Sequence, residues 1–219
     1  MPTVKDQPAK QPRRDRAQAT RLRIIQAARQ RFVRHGYTGA RMSDIADDAG
    51  VAVQTVYFVF HTKAELLHAC YESAVLGETD PVPPQQRPWH ATVMASTDAA
   101  TMWRHFAVGN SQIAARVAVL DDVVRSAGHE PEATAVRARH EALRRDGYAR
   151  IIAHAGAQFG LKPPLDAERA TDLLLTLGGT AVYRSLVLDY GWPHDTFVNW
   201  LGQTLDGQLT APHAPSPEQ

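Results

Sequence analysis

Residues 42–60 read MSDIADDAGVAVQTVYFVF, and this stretch decides the fold of the first part of the chain. Apolar residues recur at helical spacing on both sides of Gly50, which predicts one helix over 42–49 and a second over 53–58. Gly50 is the expected end of the first helix, because glycine readily adopts the left-handed conformation found there. Two short helices joined by a glycine turn form a helix-turn-helix.

Longer helices are predicted on both sides of this pair. Apolar residues recur at helical spacing between Asp15 and Gly36, and Gly36 is the expected end of that helix. On the other side, Thr62 and Glu65 form a capping-box pattern, which predicts a helix over 63–76. The first part of the chain therefore has four predicted helices.

The residues around the turn resemble the N-terminal domain of the TetR family of transcriptional repressors. The resemblance spans residues 24–67 and rests on an Ile-Ala pair, an Ala-Gly-Val turn, a Tyr and a Phe three residues apart, and a Lys that opens the next helix. The matching stretches are Ile45 to Val51, Thr55 to Tyr57, Phe60, and Thr62 to Leu67. The resemblance implies that the second short helix is a recognition helix and that the protein is a homodimer. It also implies that the remaining chain is an all-helical ligand-binding and dimerisation domain.

Charge is distributed unevenly along the chain. Residues 1–76 carry 12 Lys and Arg against 7 Asp and Glu, a net +5, whereas residues 77–219 carry 12 against 16, a net −4. Residues 1–41 alone have 11 basic and 2 acidic side chains. Such a segment favours a polyanionic partner, nucleic acid or an anionic membrane, and the helix-turn-helix favours double-stranded DNA. For residues 1–15, a disordered basic arm and an arm that enters a minor groove are both open.

Eight side chains in and around the second short helix are predicted to contact DNA. Gln54 suits a bidentate contact with adenine, Thr55 offers a hydroxyl or a methyl group to a base, and Val53 offers an apolar contact. Tyr57 and Lys63 are expected to bind phosphates. The full set is Arg41, Val53, Gln54, Thr55, Tyr57, Phe58, His61 and Lys63.

Four positions depart from the pattern of the family. Thr, Ser, a small residue and His usually stand where this chain has Arg41, Ala52, Gln54 and Val59. Ala52 has no side chain that caps a helix, which costs about 1 kcal/mol. Val59 does not bind a phosphate, and we expect Arg41 and His61 to supply such contacts from adjacent positions.

The rest of the chain is predicted to be a second, larger helical domain, so the fold class is all-α. Prolines make residues 77–88 a connection. Helices are expected near 89–95, 97–108, 111–127, 131–159 and 166–190, and from 193 onward. The predicted division is a disordered basic arm (1–15), a helix-turn-helix DNA-binding domain (16–62), a connecting helix (63–76), a ligand-binding and dimerisation domain (77–210) and a disordered tail (211–219).

Aromatic and flexible apolar residues of the middle helices are predicted to line a ligand site. Trp103 and Phe106 are the first choices, with His105 or Asn110 as a polar group nearby. Each of these residues also suits an ordinary packed core. The predicted lining is Met102, Trp103, Phe106, Asn110, Ile113, Val117 and Tyr148. It indicates a largely apolar small-molecule effector.

The last two predicted helices carry more apolar surface than one neighbouring helix buries, so we expect a second copy of the chain to cover it. The resemblance implies a four-helix interface there. The predicted interface residues are Leu173, Leu177, Leu186, Tyr190, Phe197, Trp200 and Leu201. Gly178 and Gly179 permit either a close approach at this interface or a kink.

Several classes of protein are disfavoured. A single cysteine, Cys70, excludes an internal disulfide framework, and the lack of an apolar leader favours the cytoplasm. The apolar stretch 173–182 is too short to span a bilayer, so no membrane partner is expected. His61, Glu65 and His68 share a helical face but have no matching second segment, which favours a solvated face over a metal site.

No phosphate-binding glycine loop, Gly-x-Ser-x-Gly elbow or Cys-x-x-Cys motif occurs, so neither an enzyme nor a cofactor is expected. The sequence predicts instead a ligand-responsive dimeric repressor with two recognition helices about 34 Å apart on a palindromic operator. The alternative is a helical protein that binds DNA without sequence preference.

Overall fold

The computed structural model describes residues 13–77, 82–127 and 129–211. The expected arm up to residue 12 and the expected tail from residue 212 lie outside the described residues. Within these ranges the chain consists of α-helices and their connections, with a short 3-10 turn (Pro84–Gln86), a π-helical segment and an isolated β-bridge between Leu161 and Thr210. The helices are α1 (Arg13–Gly39), α2 (Met42–Ala49), α3 (Val53–Phe60), α4 (Lys63–Leu76), α5 (Pro88–Met94), α6 (Ala99–Ser126), α7 (Pro131–Phe159), α8 (Ala167–Leu177), α9 (Thr180–Tyr183) and α10 (His194–Leu209). A π-helical segment, Arg184–Asp189, continues α9.

Two clusters of buried side chains form the core. The first joins α1 to α4 with the end of α6 and the start of α7, where Leu120, Val124 and Val136 pack against the N-terminal helices. The second joins α5, the first half of α6, the second half of α7, α8 and α10. Helix α6 has 28 residues, a length of about 42 Å, and therefore contributes to both clusters.

Helix α1 differs from its predicted bounds at its start and is interrupted where its end was predicted. It begins at Arg13, so residues 13–15, which were assigned to the arm, form its first turn. Gly36, with φ 70° and ψ 175°, is not helical, so the regular helix stops there as predicted, and a kink joins it to a short helical stretch that reaches Gly39. The kink brings Tyr37 back against Phe32, with ring centroids 5.9 Å apart, and buries its ring.

The helix-turn-helix forms as the sequence predicts. Helix α2 has the predicted bounds, and Gly50 follows it in the left-handed conformation with φ 63°. Helix α3 continues to Phe60, two residues beyond its predicted end, because the Phe60 side chain packs into the core. Ala52 precedes α3 without a side-chain cap, whereas the Thr62 hydroxyl accepts a 3.1 Å hydrogen bond from the Glu65 backbone N–H at the start of α4.

The predicted break after residue 108 is wrong, because α6 runs through it without interruption. Gly109 stays helical, and the Trp89 ring occupies the space that a side chain at Gly109 would need. Asn110 also stays helical, and its Nδ2 donates a 2.9 Å hydrogen bond to the Gly178 carbonyl oxygen. Gly109 and Asn110 therefore contribute to the packing of α6 against its neighbours and do not form a turn.

The prediction of a single helix over residues 166–190 is also wrong. Helix α8 ends at Leu177, and α9 begins after Gly179, whose backbone is extended. A Cβ atom on Gly178 would lie 3.2 Å from Asn110 Nδ2 and 3.4 Å from the Tyr148 hydroxyl, so the glycine permits a close approach within the chain. The last helix starts at His194, directly after Pro193.

Two further features bear on function. None of the helices in the described part of the chain is long and apolar enough to cross a membrane. Cys70 is fully buried in α4, and its thiol donates to the Ile25 carbonyl oxygen at 3.6 Å.

Candidate nucleic-acid interface and ligand cavity

Helix α3 presents polar and aromatic side chains to solvent. Val56 and Phe60 are buried against the first core cluster and fix the rotation of the helix. Gln54, Tyr57 and Phe58 are exposed as a result, Phe58 to 82%. Val53 and Thr55 are half-buried at its start. The exposed face of α3 therefore consists of uncharged polar and aromatic side chains.

Positive charge near α3 comes from its neighbours, because α3 itself contains no charged residue. Arg41 is exposed directly before α2, and His61 is exposed directly after α3. Lys63 is half-buried at the start of α4, and its Nζ lies 4.4 Å from the centroid of the Tyr37 ring. The eight residues predicted to contact DNA therefore belong to α3 and to the positions that flank α2, α3 and α4.

Helix α2 is held against α1 by ionic hydrogen bonds. Arg31 Nη2 donates to Asp48 Oδ1 at 2.8 Å, and Arg31 Nε donates to the other oxygen of the same carboxylate. The hydrogen bond from Arg31 lowers the pKa of the Asp48 carboxyl. The pair adds an exposed contact between α1 and α2, whose buried apolar side chains share the first core cluster.

A cavity of about 350 Å³ lies between α4, α5, α6 and α7. The segment that joins α8 to α9 closes one side through Gly178 and Thr180. The apolar wall consists of Val75, Leu76, Trp89, Ile113, Ala114, Val117, Leu143 and Ile151. Its size is that of a site for a small organic molecule.

Four of the seven predicted ligand-site residues line this cavity: Asn110, Ile113, Val117 and Tyr148. The other three do not. Met102, Trp103 and Phe106 are fully buried in the second core cluster. Trp103 Nε1 donates a 2.7 Å hydrogen bond to the Thr210 hydroxyl. The ring of Phe106 packs edge-on against Trp103 and Tyr148. The aromatic pattern of early α6 is thus a core pattern.

Three polar residues of the cavity, Tyr71, Asp121 and Thr180, were not predicted from the sequence. Asp121 Oδ1 accepts a 2.6 Å hydrogen bond from the Tyr71 hydroxyl, and Oδ2 accepts one from the Thr180 hydroxyl. Burial, followed by the charge of Asp121, raises the pKa of Tyr71, so the phenol keeps its proton. These three residues lie far apart in the sequence and form no local motif, so only the packing of the helices reveals the cluster.

A second polar group lies beside the first. The Tyr148 hydroxyl donates to Asn110 Oδ1, and Asn110 in turn donates to the Gly178 carbonyl oxygen. Burial raises the pKa of Tyr148 to about 12. The chain of hydrogen bonds joins α7, α6 and the end of α8.

Histidines from α4 and α7 meet at the edge of the cavity. His68 Nδ1 lies 3.0 Å from His140 Nε2, and the His140 ring stacks on Tyr71 at a centroid distance of 4.9 Å. Burial, and next the proximity of His68, lowers the pKa of His140 to about 4. His68, which the sequence placed on a solvated face, therefore contacts α7 instead.

The predicted interface residues fall into two groups. Leu173, Leu177, Leu186 and Trp200 are half-buried, and Tyr190 is 73% exposed. Phe197 and Leu201 are buried within the single chain, because the apolar face of α10 packs on α6. The apolar surface that the single chain leaves uncovered therefore excludes these two. Leu188, which was not predicted, is exposed beside it.

The helix-turn-helix with its flanking helices also matches a known protein family. Residues 24–70 match the family model for bacterial regulatory proteins of the tetR family. Residues 24–70 therefore form a DNA-binding domain of the TetR family. The chain is 40% identical over 60 residues to the transcriptional regulator TtgR of Pseudomonas putida, a match that covers 27% of this chain and 29% of TtgR. It is also 41% identical over 86 residues to SrpR of Pseudomonas putida, and this match covers 38% of the chain and 40% of SrpR.

Solved structures share the fold of this chain over most of its length. NalD of Pseudomonas aeruginosa, the secondary repressor of the MexAB-OprM multidrug efflux pump, aligns with a TM-score of 0.67 at 18% identity and covers 88% of this chain and 97% of its own. The fatty acid degradation regulator FadR of Bacillus halodurans aligns with a TM-score of 0.64 at 20% identity, over 92% and 96% of the two chains. The architecture is therefore an N-terminal helix-turn-helix domain followed by a larger helical domain.

Proposed function

We propose that this TetR family regulator is a dimeric transcriptional repressor that binds a palindromic DNA operator in the cytoplasm and is released by a small molecule. The observation that carries the proposal is the exposure of Gln54, Tyr57 and Phe58 on a helix whose other face is anchored by Val56 and Phe60. SCO4008 of Streptomyces coelicolor, 38% identical over 66 residues, is a transcriptional repressor, which supports the direction of regulation.

DNA contacts divide into base readout and phosphate binding. Gln54 binds adenine, Thr55 binds a base edge, and Val53 and Phe58 contact thymine methyl groups. Phosphates are bound by the four remaining residues of the predicted set, Arg41, Tyr57, His61 and Lys63. Arg41 precedes α3, Tyr57 lies within it, and His61 and Lys63 follow it, which supports this division.

Dimerisation uses the apolar surface of α8, the π-helical segment and α10. Half-buried and exposed apolar side chains there, among them Leu173, Leu186, Leu188 and Tyr190, gain free energy when a second copy covers them. The dimer would present two copies of α3 about 34 Å apart, one turn of DNA.

The effector binds in the cavity, and α4 transmits its binding. Helix α4 carries Tyr71 and Val75 in the cavity wall and begins directly after the helix-turn-helix. A ligand that favours a different position of α4 changes the separation of the two recognition helices and lowers operator affinity, with a coupling free energy of about 1–3 kcal/mol.

Selection of bound sequences from a random duplex library at two salt concentrations tests the DNA-binding part. The expected result is an enriched palindrome with half-sites about one turn apart. Binding with steep salt dependence but no enrichment would contradict the proposal and indicate a non-specific DNA-binding protein.

Sedimentation of the full chain tests the dimer. Tyr190→Asp together with Leu188→Asp is expected to yield monomers and to abolish binding to the full palindrome. Met94→Asp, an exposed apolar side chain on α5, is the matched control and is expected to leave a dimer. A dimer that survives the double substitution would remove this surface from the interface.

A further inference from the structure

Asp121 is a half-buried carboxylate in the cavity lining, and it has no cationic partner among the described residues. We propose, on the basis of the proposed function, that the effector carries a protonated or quaternary amine on an apolar body and that Asp121 recognises this cation. The proposal assigns the ligand a chemical class and Asp121 the role of the specificity-determining residue.

The hydrogen bonds of Asp121 come from neutral groups only. Its two oxygens accept from the hydroxyls of Tyr71 and Thr180, and no ion pair in the described part of the chain includes it. The next residue, Asp122, differs, because it pairs with Arg125 at 2.6 Å and with Arg184. A half-buried carboxylate is stabilised most by a hydrogen-bonding cation, and here the ligand is the group that can supply one.

Other charged groups in the cavity are either paired or exposed. Glu141 accepts hydrogen bonds of 2.8 and 2.9 Å from Arg144. Glu72 lies 3.4 Å from His68 Nε2. Arg137 and Arg150 also line the cavity, but both are exposed to solvent, whereas Asp121 is half-buried. The least solvated unpaired charge is therefore negative, which disfavours an anionic ligand.

Aromatic rings near Asp121 favour the same ligand class. Tyr71, Trp89 and Tyr148 line the cavity, and aromatic faces attract cations through their quadrupole. The apolar wall formed by α4, α6 and α7 accommodates the rest of such a molecule. An amine attached to an apolar body matches both the charge and the walls of the cavity.

The position of Asp121 also links recognition to regulation. Its carboxylate joins Tyr71 on α4 and Thr180 at the start of α9 to α6. A cation that binds Asp121 competes with these two hydroxyls for the same oxygens. Ligand recognition would then loosen the hold of α6 on α4, the helix that leads to the DNA-binding residues.

The test compares three probes with one apolar body and three head groups: 4-phenylbutylamine, 4-phenylbutanol and 4-phenylbutanoate. Calorimetric titration of the full chain without DNA is expected to give a dissociation constant for the amine about tenfold or more below those of the alcohol and the carboxylate. Asp121→Asn is expected to remove this preference, so that the amine binds no more tightly than the alcohol. The matched control is Asp146→Asn, which replaces an exposed carboxylate in the same lining. This variant is expected to keep the preference for the amine.

Equal or tighter binding of the alcohol or the carboxylate would overturn the proposal, as would no binding of any probe. Retention of the amine preference in a folded Asp121→Asn protein would overturn the role of Asp121. The comparison of three probes on the unsubstituted protein needs no variant, so a misfolded variant leaves the test intact. Operator selection without any probe tests the proposed function separately, so the two failures are distinguishable.

Discussion

The Lys63 ammonium lies 4.4 Å from the centroid of the Tyr37 ring and joins the start of α4 to the end of α1. Tyr37 is itself buried, and its hydroxyl donates to Glu132 of α7 at 3.5 Å. A cation held over an aromatic face keeps a defined position. Lys63 is therefore placed next to the helix-turn-helix and connected through Tyr37 to the larger domain.

Lys63→Gln is expected to weaken operator binding to a similar extent for all sequences. Because one phosphate contact is lost, the slope of log affinity against log salt should fall by about 1. Binding titrations at four salt concentrations measure this slope. Arg169→Gln, an exposed cation on α8, is the control and should leave the slope unchanged. An unaltered slope in the Lys63 variant would show that this lysine serves the contact with Tyr37 alone.

Phe58 is expected to read a thymine methyl group, because its ring is exposed in the free protein and apolar side chains contact that methyl in the major groove. Replacing one thymine per half-site by uracil removes only the methyl and should cost about 1 kcal/mol, roughly fivefold in affinity. In Phe58→Ala the same replacement should have no further effect. Val108→Ala, an exposed apolar residue of α6, is the control. Sensitivity to uracil that persists in Phe58→Ala would assign the methyl contact to another residue.

Two glycines that line or support the cavity should respond in opposite directions to alanine. A Cβ at Gly109 collides with the Trp89 ring, so Gly109→Ala should lower the free energy of unfolding by about 1–3 kcal/mol and shift tryptophan emission. A Cβ at Gly147 meets nothing within 4 Å, and Gly147→Ala should raise the stability by up to about 1 kcal/mol. Urea unfolding measures both changes. Equal stability of the two variants would contradict the packing of Trp89 on α6.

His140 should make the protein sensitive to acid. Its pKa is about 4 in the folded protein against a usual value of 6.5. Between these values the unfolded chain binds a proton that the folded protein does not, so stability is lost as the pH falls. The free energy of unfolding should fall by about 1 kcal/mol between pH 7 and pH 5 on this account, after allowance for solvent screening.

Urea unfolding of His140→Gln at both pH values tests this origin. The variant should lose less stability between pH 7 and pH 5 than the unsubstituted protein does. His129→Gln, an exposed histidine just before α7, is the control. An identical loss in the His140 variant would place the acid sensitivity elsewhere.

The helix-turn-helix was predictable because its signals are local. Gly50 in a left-handed turn and Thr62 at a helix start depend on neighbours a few residues away. The breaks of the larger domain depend on distant contacts instead. Gly109 stays helical and Trp89 packs on it, whereas Gly178 follows the end of α8, and its carbonyl oxygen accepts hydrogen bonds from Asn110 and Tyr148.

The same distinction applies to the candidate sites. The exposed positions of α3 follow from helical spacing once Val56 and Phe60 are taken as core. The position of the cavity does not follow from helical spacing. Trp103 and Phe106 are residue types that suit a ligand site, but their side chains are fully buried in the core. Asp121 gave no signal in the sequence, since its hydroxyl partners come from other helices.

The burial of Cys70 makes the chain convenient for distance measurements. It is the single cysteine of the 219 residues, and its side chain has no exposed surface. A cysteine introduced at the exposed Thr38, near the DNA-binding residues, would therefore be the thiol that reacts with a spin label in the native protein. Two labelled copies in a dimer would report one distance, and its change on adding an amine or operator DNA would follow the separation of the recognition helices directly.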